Sequence, residues 1–286
     1  MKTAFLGLGV MGYPMAGHLS AKGFDVVVFN RTARKAAAWV AQHKGARAAS
    51  PAEAVDGADL VFTCLGDDPD VEDVLESALP SIGAGAVVVD HTTASPALAR
   101  RFAERFAATG AGFVDAPVSG GQAGAENGRL SVMCGGESGH VERARAAMDA
   151  YASRIVHVGP SGHGQLCKAV NQICIAGLVE ALSEGVHFAK AAGLDLERVY
   201  EAISGGAAQS WQMNNRMKTM AADEFDFGFA VDWMRKDLRI AIDEARSCGA
   251  QLPVTAVVDQ FYADIQARGG GRYDTSSLIM RLKTAT

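Results

Sequence analysis

Residues 1–19 read MKTAFLGLGVMGYPMAGHL, with Gly7, Gly9 and Gly12 set in a six-residue window directly after an apolar run. Two readings fit three glycines so placed. One is a tight turn between a strand and a helix, and the other is a loop whose backbone amides can approach a pyrophosphate. The context decides between them, because the pattern follows a β-like run (residues 2–8) and opens a helix-like segment (residues 11–21). In that setting Gly7 makes the turn, Gly9 admits the phosphates and Gly12 packs the helix on the sheet. The loop Gly7, Leu8, Gly9, Val10, Met11 and Gly12 is therefore expected to hold a dinucleotide, with the helix N-terminus directed at the phosphates.

The stretches that follow support this. VVVF (26–29), LVFTCL (60–65), AVVVD (86–90) and GFVDAPV (112–118) are short and apolar throughout, as strands covered on both faces are. Helix-like segments alternate with them over 34–44, 50–55 and 96–109, with Pro51 at a first helical position. Such alternation predicts parallel βαβ units in a doubly wound, Rossmann-type sheet. LSVMC (130–134) and RIVHV (154–158) extend it.

The pattern changes at GPSGHG (159–164), after which only helical patterns remain. The segment from Gln165 to Ala192 is apolar on most faces and too long for an ordinary surface helix, so a place between domains or subunits is expected. The expected organisation is an α/β chain with a dinucleotide-binding domain over 1–162 and an all-helical substrate and dimerisation domain over 163–286.

The end of the second strand discriminates between cofactors. An acid there would bind the ribose 2′-hydroxyl of NAD, but the chain has Asn30, Arg31 and Thr32. Arg31 can pair with a 2′-phosphate and its two neighbours can donate to it, so NADP is expected, with NAD possible.

Three later motifs carry chemistry. Ser119, Gly120 and Gly121 in DAPVSGG follow the carboxyl end of a strand, where paired glycines can form an anion-binding nest for a carboxylate. GHGQLCKAVN (162–171) opens the long helix with Lys168 and Asn171 on one face. A lysine in such a place is ordinarily a snorkelling side chain. At a domain junction beside a sheet edge it suits proton transfer. Lys236 and Asp237 in MRKDLRIAIDEA begin another helix, where a solvated charged face is the plain alternative.

These motifs, in this order and across nearly the whole chain, resemble the β-hydroxyacid dehydrogenase family, whose members include 3-hydroxyisobutyrate dehydrogenases and tartronate, glyoxylate and succinic semialdehyde reductases. The resemblance implies hydride transfer between nicotinamide and a short, carboxylate-bearing 3-hydroxy acid or its semialdehyde. It implies Lys168 as catalytic acid/base and Asn171 as its substrate-positioning neighbour. Ser119, Gly120 and Gly121 would hold the carboxylate, and Lys236 would lie near both substrate and nicotinamide. Thr93, or Thr92 in its place, would border the nicotinamide, with Cys64 and Leu65 beneath the adenosine half. Rival readings are a sugar-phosphate dehydrogenase, which resembles a family with a longer helical domain, an imine reductase, which usually lacks the lysine, and a non-catalytic NADP sensor.

Composition narrows the rest. A net charge of −5 with no basic block argues against nucleic acid or an anionic membrane as partner. The first apolar stretch is short and contains the glycine motif, so neither a signal peptide nor a membrane span is expected there. Five cysteines without a C-x-x-C pair point to neither zinc nor disulfides, and to a reducing cytoplasm. Glu180, Glu184 and His187 match only half of a di-iron pattern, so no metal is expected. Trp211, Met213, Phe229 and Trp233 read as core or subunit-contact residues, and the greasy long helix points to a homodimer or homotetramer.

Overall fold

A computed structural model describes residues 1–282, so the last four residues of the expected helical domain, 283–286, lie outside the described residues. Two compact units divide between Lys168 and Ala169.

In the first unit, β1 (Lys2–Leu6), β2 (Asp25–Phe29), β3 (Ala46–Arg47), β4 (Leu60–Thr63), β5 (Val87–Asp90) and β6 (Gly112–Asp115) form a parallel run in the order β3-β2-β1-β4-β5-β6. The sheet continues through β8 (Leu130–Gly136), antiparallel to β6, which pairs with both β7 (Val118–Ser119) and β9 (Ala152–Gly159). Alternate residues of each strand bury on opposite faces. Phe5, Phe62, Val89 and Val114 join one apolar cluster, while Leu6, Val61, Val88 and Phe113 join the other. This two-sided burial is why the strands read as apolar throughout.

Helices α1 (Gly12–Ala21), α2 (Ala33–Gln42), α3 (Pro51–Val55), α4 (Asp68–Ala78) and α5 (Pro96–Ala108) cross between the parallel strands. Ser50 and Ser95 cap α3 and α5, each hydroxyl accepting the N–H three residues on, from Glu53 and Leu98 at 3.1 Å. Helices α6 (Gly121–Glu126) and α7 (Ser138–Met148) complete the unit.

Two differences from the sequence expectations have local causes. GFVDAPV forms two strands rather than one, because Pro117 cannot donate to a ladder. The chain leaves β6 with Ala116 N–H on the Asp90 carbonyl (2.7 Å) and resumes pairing as β7 in the same sense, antiparallel to β8 as β6 is. Helix α4 was also not anticipated. Its acidic sequence buries Val71, Leu75 and Ala78 at helical spacing, and Asp67 caps it by accepting the Asp68 N–H at 2.8 Å.

Helix α8 (His163–Ala191) begins in the first unit and continues into the second. By length and composition it could cross a membrane. It nevertheless places Gln165, Lys168, Gln172, Glu180 and Ser183 at buried positions.

The second unit adds α9 (Leu196–Ile203), α10 (Trp211–Ala222), α11 (Val231–Cys248), α12 (Pro253–Ala267) and a 3₁₀ helix over Thr275–Leu282. Val179, Val186, Met213, Met217, Leu238, Tyr262 and Leu278 are among its core residues. Of the four residues expected in core or contact positions, Met213 is core and Phe229 packs against it, whereas Trp211 and Trp233 are exposed. The Arg216 guanidinium covers the Trp211 ring at 4.8 Å. Buried Asp274 ties the unit by accepting Arg216 Nε–H (2.9 Å) and Phe229 N–H (3.0 Å).

The first unit also holds a buried histidine. His91 stacks on Phe62 at 5.7 Å. Its Nδ1–H donates to the Ala116 carbonyl (2.6 Å) and its Nε2 accepts from the Tyr151 hydroxyl (2.8 Å). The neutral ring is thus fully satisfied, and burial lowers its pKa to about 4. A depressed histidine pKa contributes stability that is full above the unfolded value and is lost as pH falls toward the folded one. Urea unfolding of wild type and His91→Gln should therefore diverge on acidification. From pH 7 to about pH 5 wild type should lose about 2 kcal/mol relative to the variant. The opposing contributions of Asp90 and Asp115 are common to both proteins and cancel in this difference.

Candidate active site

The loops after β1, β2, β4 and β5 leave the carboxyl edge of the parallel sheet, and β1 lies between β2 and β4, where the strand order reverses. That is the position at which doubly wound sheets bind ligands. Gly7 has φ +102°, and a Cβ there would strike the Cys64 carbonyl oxygen. At Gly12 a Cβ would collide with the Gly7 carbonyl oxygen. Gly9 differs, since a Cβ would meet nothing within 4 Å. Protein packing thus accounts for the first and third glycines, whereas no packing contact accounts for the second. Helix α1 starts its hydrogen bonding with Tyr13 N–H on the Gly9 carbonyl (3.0 Å), so the preceding amides are those a helix N-terminus offers to phosphate. Leu8 is buried, Val10 exposed and Met11 half-buried.

Asn30 has a task that the sequence did not disclose. Its Oδ1 accepts the Leu8 N–H at 2.8 Å and its Nδ2 donates to the Thr32 carbonyl at 3.1 Å, so its amide braces the glycine loop. Arg31 is the exposed cation of the trio, paired with Asp70 on the first turn of α4 at 3.1 Å. Leu65 N–H donates to the Thr92 hydroxyl (2.9 Å), and Cys64 N–H to the Leu6 carbonyl (3.0 Å). Thr92 N–H in turn donates to Asp90 Oδ1 at 3.0 Å. Thr92 is buried and occupied in holding this loop, whereas Thr93 is half-buried beside it.

A second group surrounds Asp115 at the end of β6. Its Oδ1 accepts the Gly162 N–H (2.7 Å) and its Oδ2 accepts the Gln165 N–H (3.0 Å), so one buried carboxylate caps the start of α8. The glycines of the G-x-G-x-x-x-K motif follow from this clasp. Gly162 has φ +90°, and a Cβ on Gly164 would run into the Asp115 and Met133 carbonyl oxygens. Burial raises the Asp115 pKa to about 6, with the Gly162 and Gln165 amides opposing the rise. Asp90 is raised to about 6 by the same cause, against hydrogen bonds from Thr92 and Thr63. Lys168 lies three residues beyond Gln165 and is only 7% exposed. Ser119 ends β7, and Gly120 and Gly121 follow it with φ +129° and +61°.

In the second unit Asn171 Nδ2–H donates to Gln172 Oε1 (2.7 Å), and Gln172 Nε2–H donates to Asp237 Oδ2 (2.6 Å). Lys236 Nζ stands 3.3 Å from Asp237 Oδ1, so this chain joins Asn171 to Lys236 through two buried side chains. Lys236 also borders an open cavity of about 470 Å³ along α11 and α12, where Arg235 and Arg246 are already paired with Asp259 and Asp243.

Gln165, Gln172 and Asp237 were not singled out from the sequence as site residues. A signal was present, because Gln165, Lys168 and Gln172 follow the three-then-four spacing of one helical face in an otherwise apolar segment.

Glycines divided in this way on a doubly wound sheet define a dinucleotide-binding protein. Residues 2–159 match the NAD-binding domain of 6-phosphogluconate dehydrogenase, and residues 162–282 match the NAD-binding domain of NADP-dependent 3-hydroxyisobutyrate dehydrogenase. An oxidoreductase of Shewanella frigidimarina is 56% identical over 99% of this chain and 98% of its own length. The 2-hydroxy-3-oxopropionate reductase of Escherichia coli is 34% identical over 99% and 97%. A solved structure of Mycobacterium tuberculosis 3-hydroxyisobutyrate dehydrogenase with L-serine superposes with a TM-score of 0.91 at 31% identity, covering 99% of both chains. The chain belongs to the 3-hydroxyisobutyrate dehydrogenase family of NAD(P)-dependent β-hydroxyacid dehydrogenases.

The glycine assignments separate in a paired test. Gly9→Ala should keep the wild-type melting temperature and weaken NADPH binding about tenfold, or about 1.4 kcal/mol, by fluorescence titration. Gly12→Ala should instead lose about 1–3 kcal/mol of stability through overpacking.

Proposed function

We propose that the protein catalyses reversible hydride transfer between nicotinamide, with NADP preferred, and the β-carbon of a short 3-hydroxy acid or its semialdehyde. The observation that carries the reading is Lys168, nine-tenths buried on the first turns of a helix that Asp115 clasps to the carboxyl edge of the dinucleotide sheet. A lysine so placed has been removed from bulk water, which is poor use of a surface cation and good use of an acid/base.

The bound nicotinamide supplies or accepts the hydride. In reduction Lys168 donates an Nζ proton to the carbonyl oxygen as the carbonyl carbon gains hydride, leaving the alcohol and a neutral amine. In oxidation the neutral amine takes the hydroxyl proton while hydride leaves the same carbon. Ser119 and the backbone at Gly120 and Gly121 hold the carboxylate, Asn171 positions the substrate, and Lys236 serves both substrate and nicotinamide. Thr93 borders the ring, Cys64 and Leu65 support the adenosine half, and Arg31 pairs with the 2′-phosphate.

The relatives' names bear on the substrate class. 3-Hydroxyisobutyrate, L-serine and 2-hydroxy-3-oxopropionate share a carboxylate on the carbon next to an oxidisable or reducible terminal carbon, and differ in the third substituent. A pocket that recognises the shared parts selects among members by that substituent. We further propose a homodimer or homotetramer, since Val170, Leu178 and Phe188 are exposed along α8, and a cytoplasmic location, since the five cysteines include no C-x-x-C pair and are odd in number.

The test is cofactor oxidation with NADPH and NADH against methylmalonate, tartronate and succinic semialdehydes and glyoxylate. Lys168→Ala should lower kcat at least about a hundredfold while still binding NADPH. Arg31→Ala should reduce the NADPH-over-NADH preference about tenfold, the loss of a charge-assisted pair. An active Lys168→Ala enzyme would sink the lysine assignment.

A further inference from the structure

Gln165 is only 1% exposed, and its carboxamide engages a loop that is remote in the chain. Its Oε1 accepts the Ala94 N–H at 3.1 Å and its Nε2–H donates to the Thr92 carbonyl at 2.7 Å, so both ends of the amide grip the segment around Thr93. The Gln165 backbone N–H donates to Asp115 at 3.0 Å. One residue therefore joins the loop after β5, the end of β6 and the opening of α8. Lys168 lies three positions further along that helix, on the same face.

We propose that Gln165 is a positioning residue for the reaction: its carboxamide fixes the Thr92–Ala94 loop against the helical turn that carries Lys168, and so sets the spacing between the lysine and the nicotinamide. The inference rests on the reading of Lys168 as acid/base. An amide is the side chain suited to this place. It donates and accepts at once without charge, in an interior that already holds two buried carboxylates, Asp90 and Asp115, and so disfavours a further anion. A displacement of about 1 Å at a reacting centre is enough to cost on the order of a hundredfold in rate.

The experiment compares full-length wild type, Gln165→Met, Gln165→Glu and Lys168→Ala. It measures kcat and KM against pH, NADPH affinity and melting temperature. Gln165→Met loses both hydrogen bonds and should lower kcat about ten- to a hundredfold, with both KM values changed less than about threefold.

Gln165→Glu is nearly isosteric and gives the sharper readout. Its protonated carboxyl can still donate to the Thr92 carbonyl and accept from Ala94, whereas its carboxylate opposes that carbonyl. The charged groups around that position are Asp115 of β6, which accepts the N–H of residue 165, Asp90 of β5, which accepts the Thr92 N–H, and Lys168, three residues on along the same helix. Its kcat should approach wild type at the acid end and fall as pH rises, a titration absent from the wild-type profile.

Wild-type kcat and pH profile in both Gln165 variants would overturn the proposal. So would a drop in melting temperature with an unmoved pH profile, which marks a purely structural glutamine. If Gln165→Met does not fold, the Gln165→Glu profile decides alone. Should Lys168→Ala remain active, the lysine reading fails whatever Gln165 does. If Lys168→Ala is dead while both Gln165 variants match wild type, only the positioning role fails.

Discussion

The carboxylate of Asp115 is the joint on which the candidate site depends. It ends the parallel run of the sheet and accepts two amides from the opening of α8. Hydrogen bonds to a charged group contribute about 1.5–3 kcal/mol each, yet burial still raises this carboxyl to about 6. The amides therefore offset only part of its desolvation. A helix held in this way starts at one defined place, and every residue on its first turns inherits that register. Lys168 lies buried on those turns, a Cβ on Gly164 would run into the Asp115 carbonyl oxygen, and Gly162 adopts φ +90°.

The fingerprint loop obeys the same economy of space. Gly7 and Gly12 are small because backbone and helix close on them, while a Cβ on Gly9 would meet nothing within 4 Å among the described residues. A position kept empty by its own residue type, on a loop braced by Asn30, is a preformed cradle rather than a flexible turn. Preformation matters for catalysis, since a nicotinamide that must be found afresh at each turnover would cost orientation at the reacting carbon.

Within each unit the chain uses uncharged amides and hydroxyls where buried groups need partners. Thr63 and Thr92 serve Asp90, Gln165 serves the Thr92–Ala94 loop, and Gln172 links Asn171 to Asp237. Each supplies directional hydrogen bonds without adding charge to the interior.

Much of the architecture was legible in the sequence because its cause is local. Strands buried on both faces are apolar at every position, and the glycine fingerprint records a turn and two close approaches within six residues. The pattern that ends at Gly164 and leads to Lys168 also stands in one stretch. Other features were hidden to different degrees. The helical spacing of Val71, Leu75 and Ala78 was readable, yet its acidic surroundings masked α4. The split of GFVDAPV turned on a single proline. The tasks of Asn30, Asp115 and Gln165 were not readable at all, since their partners lie 22 to 73 residues away. Periodicity reports which way a side chain faces, whereas only the folded chain brings distant backbone amides to a given carboxylate or carboxamide. The sequence by itself determined the kind of fold and the family; the tertiary structure decided which buried side chains hold the glycine loop and the start of α8 in place.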